Sequence, residues 1–187
     1  MRAFVAIPLP DSFGSWLDMQ RPFLAAMSDG LRIVPPASGH MTLRFLGDLP
    51  ADNVPAVMER LRTSLAAQRA TTLVLNRVGV FYRDDHPSVL WVGPASTPAE
   101  VQAVAGAVTA SLTGVGSNRR SEPFVPHVTI ARFNGHAAEP SMPFRLPSIQ
   151  PLVVPVSRVV LYKSVLGTGA PTYLPQGVVE LAPVAEG

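Results

Sequence analysis

Two stretches of the chain set a histidine in nearly the same surroundings: HMTLRFLG from His40 to Gly47 and HVTIARFN from His127 to Asn134. In an extended strand, residues i and i+2 share a face and lie about 6.5–7 Å apart along it. His40 therefore points with Thr42, and His127 with Thr129. Met41 and Leu43, like Val128 and Ile130, point the other way and can enter a core. Each motif is half core anchor and half polar pair. Two such pairs facing one cleft would surround a small group with two imidazoles and two hydroxyls. Imidazole is the side chain best suited to exchange a proton near neutral pH. A matched pair suits a displacement in which one ring deprotonates the attacking oxygen and the other protonates the leaving oxygen. Threonine hydroxyls can donate to the non-bridging oxygens of a phosphate. Neither motif carries a nearby carboxylate or a His-x-His pair to complete a metal-ligand set, so no metal and no cofactor is expected. The constellation reads as metal-free phosphodiester chemistry.

The bare motif is loose. If serine is admitted in the third position, His86 in HPSV also fits, so the flanking residues must carry the specificity. His86 and His136 read as solvated loop residues, and Arg119 and Arg120 as part of a solvated loop just ahead of the second motif.

The elements that hold the motifs can be read from periodicity. Residues 2–8 form a first strand rather than a signal segment, because Pro8, Pro10 and Asp11 end the apolar run early. Residues 13–27 have near-helical apolar spacing broken or kinked at Pro22. LRIVPP is extended, and 40–46 is the first motif strand. A helix over 53–69 buries Val54, Val57, Met58, Leu61 and Leu65, with Asp52 or Asn53 as its cap. TTLVLNRVGVFY and SVLWVG read as two strands joined by the turn RDDHPS. TPAE from Thr97 is a capping box for a third helix that buries Val101, Val104, Ala105, Val108 and Leu112. The second motif strand lies near 125–133. A proline-rich connection over 140–155 leads to SRVVLYKSV and a last strand near 176–182. LGTGAPTY joins those two as a hairpin rather than a phosphate-binding loop, since no helix follows it.

Strands and helices occur in both halves, so the fold class is α+β with mainly antiparallel sheets. The two histidines stand 87 residues apart (127 − 40 = 87), close to half of the 187-residue chain. The economical arrangement is one domain over residues 1–187 with two pseudo-symmetric lobes, flanking helices and a central cleft. With no cysteine, disulfides and thiolate catalysis are excluded, and a cytoplasmic location is the default. No apolar run reaches the length of a membrane span, so no membrane partner is expected. The net charge is +2, with 14 arginines and one lysine, Lys163, among the basic residues. So small a surplus argues against wrapping a duplex, but it suffices for a phosphorylated small molecule or a nucleic-acid end.

Taken together, MRAFVAIPLP, VPPASGHMTLRFLGDL, LNRVGVFYRDDHPSVLWVG, PFVPHVTIARF and VVLYKSVLGTGAPTY cover most of the chain. They resemble the two-histidine phosphoesterase superfamily. Within it they are similar to the bacterial RNA 2′,3′-cyclic phosphodiesterases, also described as 2′-5′ RNA ligase-like. The resemblance implies a bilobal fold and hydrolysis of a terminal 2′,3′-cyclic phosphate on RNA or a small nucleotide to a 2′-phosphomonoester. It makes His40 the proton donor to the leaving 3′ oxygen and His127 the proton acceptor from water. It makes Thr42, Thr129 and Arg132 the phosphate-holding groups, and it fits a monomer. Arg132 is five residues after His127 and would face away from the cleft in a regular strand, so a bulge must turn it inward. Arg44, in phase with His40, is the alternative cation. Other chemistries stay open: ligation of RNA ends, cleavage of a 2′-5′ linkage or another cyclic phosphate, a metallohydrolase, or a module that only binds RNA ends.

Overall fold

A computed structural model describes residues 1–27, 30–117, 124–133, 148–167 and 170–183. Alternating or continuous runs of β-branched and aromatic residues make its strands, and i, i+3, i+4 apolar stripes make its helices. In chain order these are β1 (Arg2–Pro8), α1 (Ser12–Ala25), β2 (Leu31–Ile33), β3 (His40–Asp48), α2 (Val54–Leu65), β4 (Thr71–Leu75), β5 (Arg77–Arg83), β6 (His86–Gly93), α3 (Ala99–Ser111), β7 (Val128–Phe133), β8 (Leu152–Val156), β9 (Arg158–Val165) and β10 (Thr172–Glu180).

The large sheet has the order β10-β9-β1-β3-β7-β6-β5, with β2 lying beside β7, and β4 pairs β8 in a separate ribbon. All named strand pairs are antiparallel. The expected α+β class is what the chain adopts. The sheet is two four-stranded halves, β10-β9-β1-β3 and β2-β7-β6-β5, joined at one register pair, Met41 with Val128. Those two residues directly follow the two histidines. Both are fully buried, in a core that the helices cover: α3 packs on β3 and β4, and α2 on α3 and β10. The residues flanking the seam pair on each strand face the other way.

Several elements differ from the sequence reading. Pro22 does not break α1: it lies in the last turn of the helix, and its carbonyl accepts the Ala26 N–H at 3.2 Å. The capping box at Thr97 is not formed. Pro98 takes the cap position with no side-chain bond, and its carbonyl accepts the first helical N–H, from Gln102. Asn53 caps α2 only by position, since the preceding 3-10 turn already has helical dihedrals. TTLVLNRVGVFY is two strands split at Asn76, whose side-chain oxygen accepts the Ala95 N–H at 2.8 Å while its own N–H donates to Gly93. The hairpin turn between β5 and β6 shrinks to Asp84 and Asp85, both at positive φ. His86 thereby becomes the first residue of β6, paired with Arg83, rather than a turn residue. Leu152–Val156, read as part of a connection, is a strand with alternating burial. The final strand starts at Thr172, so Tyr173 belongs to it. His136, Arg119 and Arg120 lie outside the described residues.

Candidate active site

Antiparallel pairing has a local two-fold axis between partner residues, so the seam at Met41 and Val128 relates His40 to His127 and Thr42 to Thr129. All four line one cleft of about 760 Å³. The likeness between the motifs goes further than the notation His-x-Thr. Opposite β1, Ala6 pairs Thr42 but Val5 pairs Arg44, so Leu43 is a bulge residue. Opposite β6, Trp91 pairs Thr129 but Leu90 pairs Ala131, so Ile130 is the equivalent bulge. A bulge inserts one residue and turns the residues beyond it to the other face. Leu43 and Arg44 are consequently both buried, as are Ile130 and Ala131. The fifth residue after each histidine, Phe45 in one lobe and Arg132 in the other, then emerges into the cleft.

The bulge answers the parity problem of Arg132, which stands in the cleft close enough to His40 to affect its titration. Arg44 is buried on the core side, its Nε without a hydrogen-bond partner, and it does not line the cleft. The two-fold thus relates an arginine to a phenylalanine, and the site is asymmetric.

Both imidazoles are held the same way. His40 Nδ1 is 2.8 Å from the Ser38 carbonyl oxygen, and His127 Nδ1 is 2.7 Å from that of Val125. A carbonyl can only accept, so each Nδ1 carries a proton, and Nε2 is the atom that can exchange one. The His40 ring rests 4.7 Å from Phe4 and edge-on to Tyr173 at 4.8 Å. His127 meets Phe81 at 4.8 Å, also edge-on, with Trp91 behind at 6.3 Å. Room for Trp91 exists because residue 79 is glycine, where a Cβ would overlap the indole ring. Desolvation among these rings pushes both histidines below their usual pKa, and the carbonyl contacts oppose it. The charges of His127 and Arg132 lower His40 further.

Sequence reading missed several cleft residues. Arg2 and Phe4 share one face of β1, and Arg32 pairs with Arg132 across β2 and β7. The alternation of RAF was the available signal for the first two; nothing local marked Arg32. Among the described residues, the cleft is lined by three arginines and by no aspartate or glutamate. Among the described residues, no group of three or more His, Cys, Asp or Glu is placed to hold a metal ion.

Residues 11–168 match the family model described as the 2′-5′ RNA ligase superfamily. The chain belongs to that superfamily. An RNA 2′,3′-cyclic phosphodiesterase of Aeropyrum pernix is 32% identical over 137 residues, 72% of this chain and 77% of its own length. One from Thermus thermophilus is 32% identical over 185 residues, 92% of this chain and 86% of its own. Among solved structures, a phosphoesterase superimposes with a TM-score of 0.80 at 24% identity, covering 97% of this chain and 98% of that one. Apo LigT of E. coli superimposes at 0.77 and 25% identity, covering 97% of each chain. The superfamily and these relatives make the protein a phosphoesterase. Among the described residues, no helix of this superfamily member is long and apolar enough to cross a membrane.

Proposed function

We propose that this protein hydrolyses the 2′,3′-cyclic phosphate at RNA ends to a 2′-phosphomonoester, with the two histidines as acid and base. The observation that carries this reading is the placement of His40 and His127 about one local two-fold, each with Nδ1 tied to a main-chain carbonyl and Nε2 left to exchange a proton. His127 Nε2 takes a proton from water as the water oxygen bonds to phosphorus. The bond from phosphorus to O3′ breaks on the opposite side, and His40 Nε2 gives its proton to O3′. Arg132, Thr42 and Thr129 hold the non-bridging oxygens, where charge accumulates.

The direction of attack has support in the asymmetry of the lobes. An in-line displacement puts the leaving O3′, with the ribose that carries it, on the side of the acid. There the fifth residue after His40 is Phe45, an apolar surface beside Phe4, whereas the fifth after His127 is the cation Arg132. His40 must start protonated although its surroundings disfavour the charge. The bound phosphate anion offsets Arg132 and raises its pKa, so substrate binding is accompanied by proton uptake.

The test is incubation with RNA ending in a 2′,3′-cyclic phosphate in excess chelator, followed by identification of the product. The expected product is the 2′-phosphomonoester. Release of a 3′-phosphomonoester, or activity that returns only with a divalent ion, overturns the reading.

A further inference from the structure

The cleft extends well past the groups that one phosphate needs. We propose that Arg2 binds an internucleotide phosphate upstream of the reacting end, so that the site selects an RNA chain over a free cyclic mononucleotide. This rests on the reading above, with His40 as the acid.

Because water enters on the His127 side, the terminal nucleoside and everything attached to its 5′ oxygen lie on the His40 side. That side is bounded by the β1–β3 pair. Phe4 and Phe45 stand opposite each other there, and the next register pair is Ala3 with Gly47. Gly47 lines the cleft without a side chain and Ala3 is turned into the core, so nothing of this pair stands above the surface beyond the aromatic pair, which leaves room for a chain. Arg2 comes next. It shares a face with Phe4 and lies about 6.6 Å further along β1, exposed and lining the same cleft. Its register partner is Asp48, yet among the described residues the Arg2 side chain forms no ion pair or hydrogen bond. An unpaired guanidinium at the end of an open path from the acid is suited to a phosphate oxygen. Arg32 is equally unpaired but stands across from Arg132 on the water side, where the in-line geometry places no upstream nucleotide.

The experiment compares kcat/KM for uridine 2′,3′-cyclic phosphate and for a pentanucleotide RNA ending in the same group. It uses the wild type, Arg2→Ala, Arg32→Ala and Arg83→Ala, the last an exposed arginine outside the cleft. Wild type is expected to prefer the pentanucleotide. Arg2→Ala should cut that preference about five- to tenfold and lower the salt slope of oligonucleotide binding by about 0.7, the value for one phosphate contact on a single strand. Arg32→Ala should slow both substrates alike, and Arg83→Ala should leave the preference as in wild type. Equal use of both substrates by wild type, or a preference that Arg2→Ala leaves intact, overturns the proposal while the hydrolase reading stands. Loss of the preference in Arg32→Ala instead overturns it by placing the chain on the other side. Turnover of neither substrate removes the hydrolase reading and this proposal with it.

Discussion

A buried imidazole resists its proton, and in the proposed mechanism one of two such rings must carry one. Both histidines are pushed below the free-imidazole value near 6.5 by burial, and His40 also by the charges of His127 and Arg132. The pH profile of kcat/KM, which reports the free enzyme, should therefore be a bell displaced toward lower pH, with limbs that belong to the pair of rings rather than to either alone. Arg132→Gln removes one of the charges that disfavour the proton on His40. It should move the bell to higher pH while lowering the rate; a bell that stays or moves down contradicts the placement. The threonines are testable by truncation. A hydroxyl bonded to a charged phosphate oxygen contributes about 1.5–3 kcal/mol, so Thr42→Ala and Thr129→Ala should each slow turnover roughly 10- to 100-fold, and a change below about twofold in both would return them to strand propensity. The positions of these four residues were legible because strand parity needs only a spacing of two. Arg132 was legible only through resemblance, since its direction depends on a bulge that no local pattern announces. Arg2 and Arg32 were not legible, because what marks them is an unpaired state inside a shared cleft.

Strands set the site, and their irregularities matter more than their regular parts. Two bulges, at Leu43 and Ile130, turn the fifth residue after each histidine inward. The register that reveals them is a property of strand pairs, so reading one strand at a time could not find them. The same limit explains the split at Asn76, where each flanking strand answers to a different partner, and the strand at Leu152–Val156, whose prolines suggested a connection. Periodicity did locate the buried faces of α2 and α3, since the apolar stripes alone determine them. Support of His127 can be tested from behind. Gly79→Ala would drive a methyl group into Trp91, costing about 1–3 kcal/mol and displacing the indole that backs Phe81 and His127. Melting temperature and kcat should both fall. Gly106→Ala, in α3 with nothing within 4 Å of the added Cβ, should instead stabilise by about 0.5–1 kcal/mol, which separates crowding from loss of glycine as such.

At the scale of the molecule, two half-sheets meet at one residue pair, and the proposed chemistry sits on the cleft side of that seam. Near-symmetry supplies two matched imidazoles, and in the proposed mechanism the departure from it, Phe45 against Arg132, supplies a direction. Among the described residues no acidic side chain lines the cleft, so a chain of net charge +2 meets an anion with charged groups of one sign, Arg2, Arg32 and Arg132. Because both histidines favour the neutral form when folded, the fold binds fewer protons than the unfolded chain. Their contribution to stability is therefore full above about 6.5 and is lost as pH falls through the lowered folded-state values. The division of labour between the rings is the central claim, and replacing the bridging 3′ oxygen of the cyclic phosphate with sulfur tests it most directly. A thiolate leaves without a proton, its conjugate acid having a pKa of about 8.5, so the acid becomes dispensable while the base does not. On the oxygen substrate, His40→Ala and His127→Ala should each lose about 10²–10⁴-fold. On the sulfur substrate, His40→Ala should recover most of its rate and His127→Ala should not; recovery by His127→Ala, or by neither, would contradict the assignment.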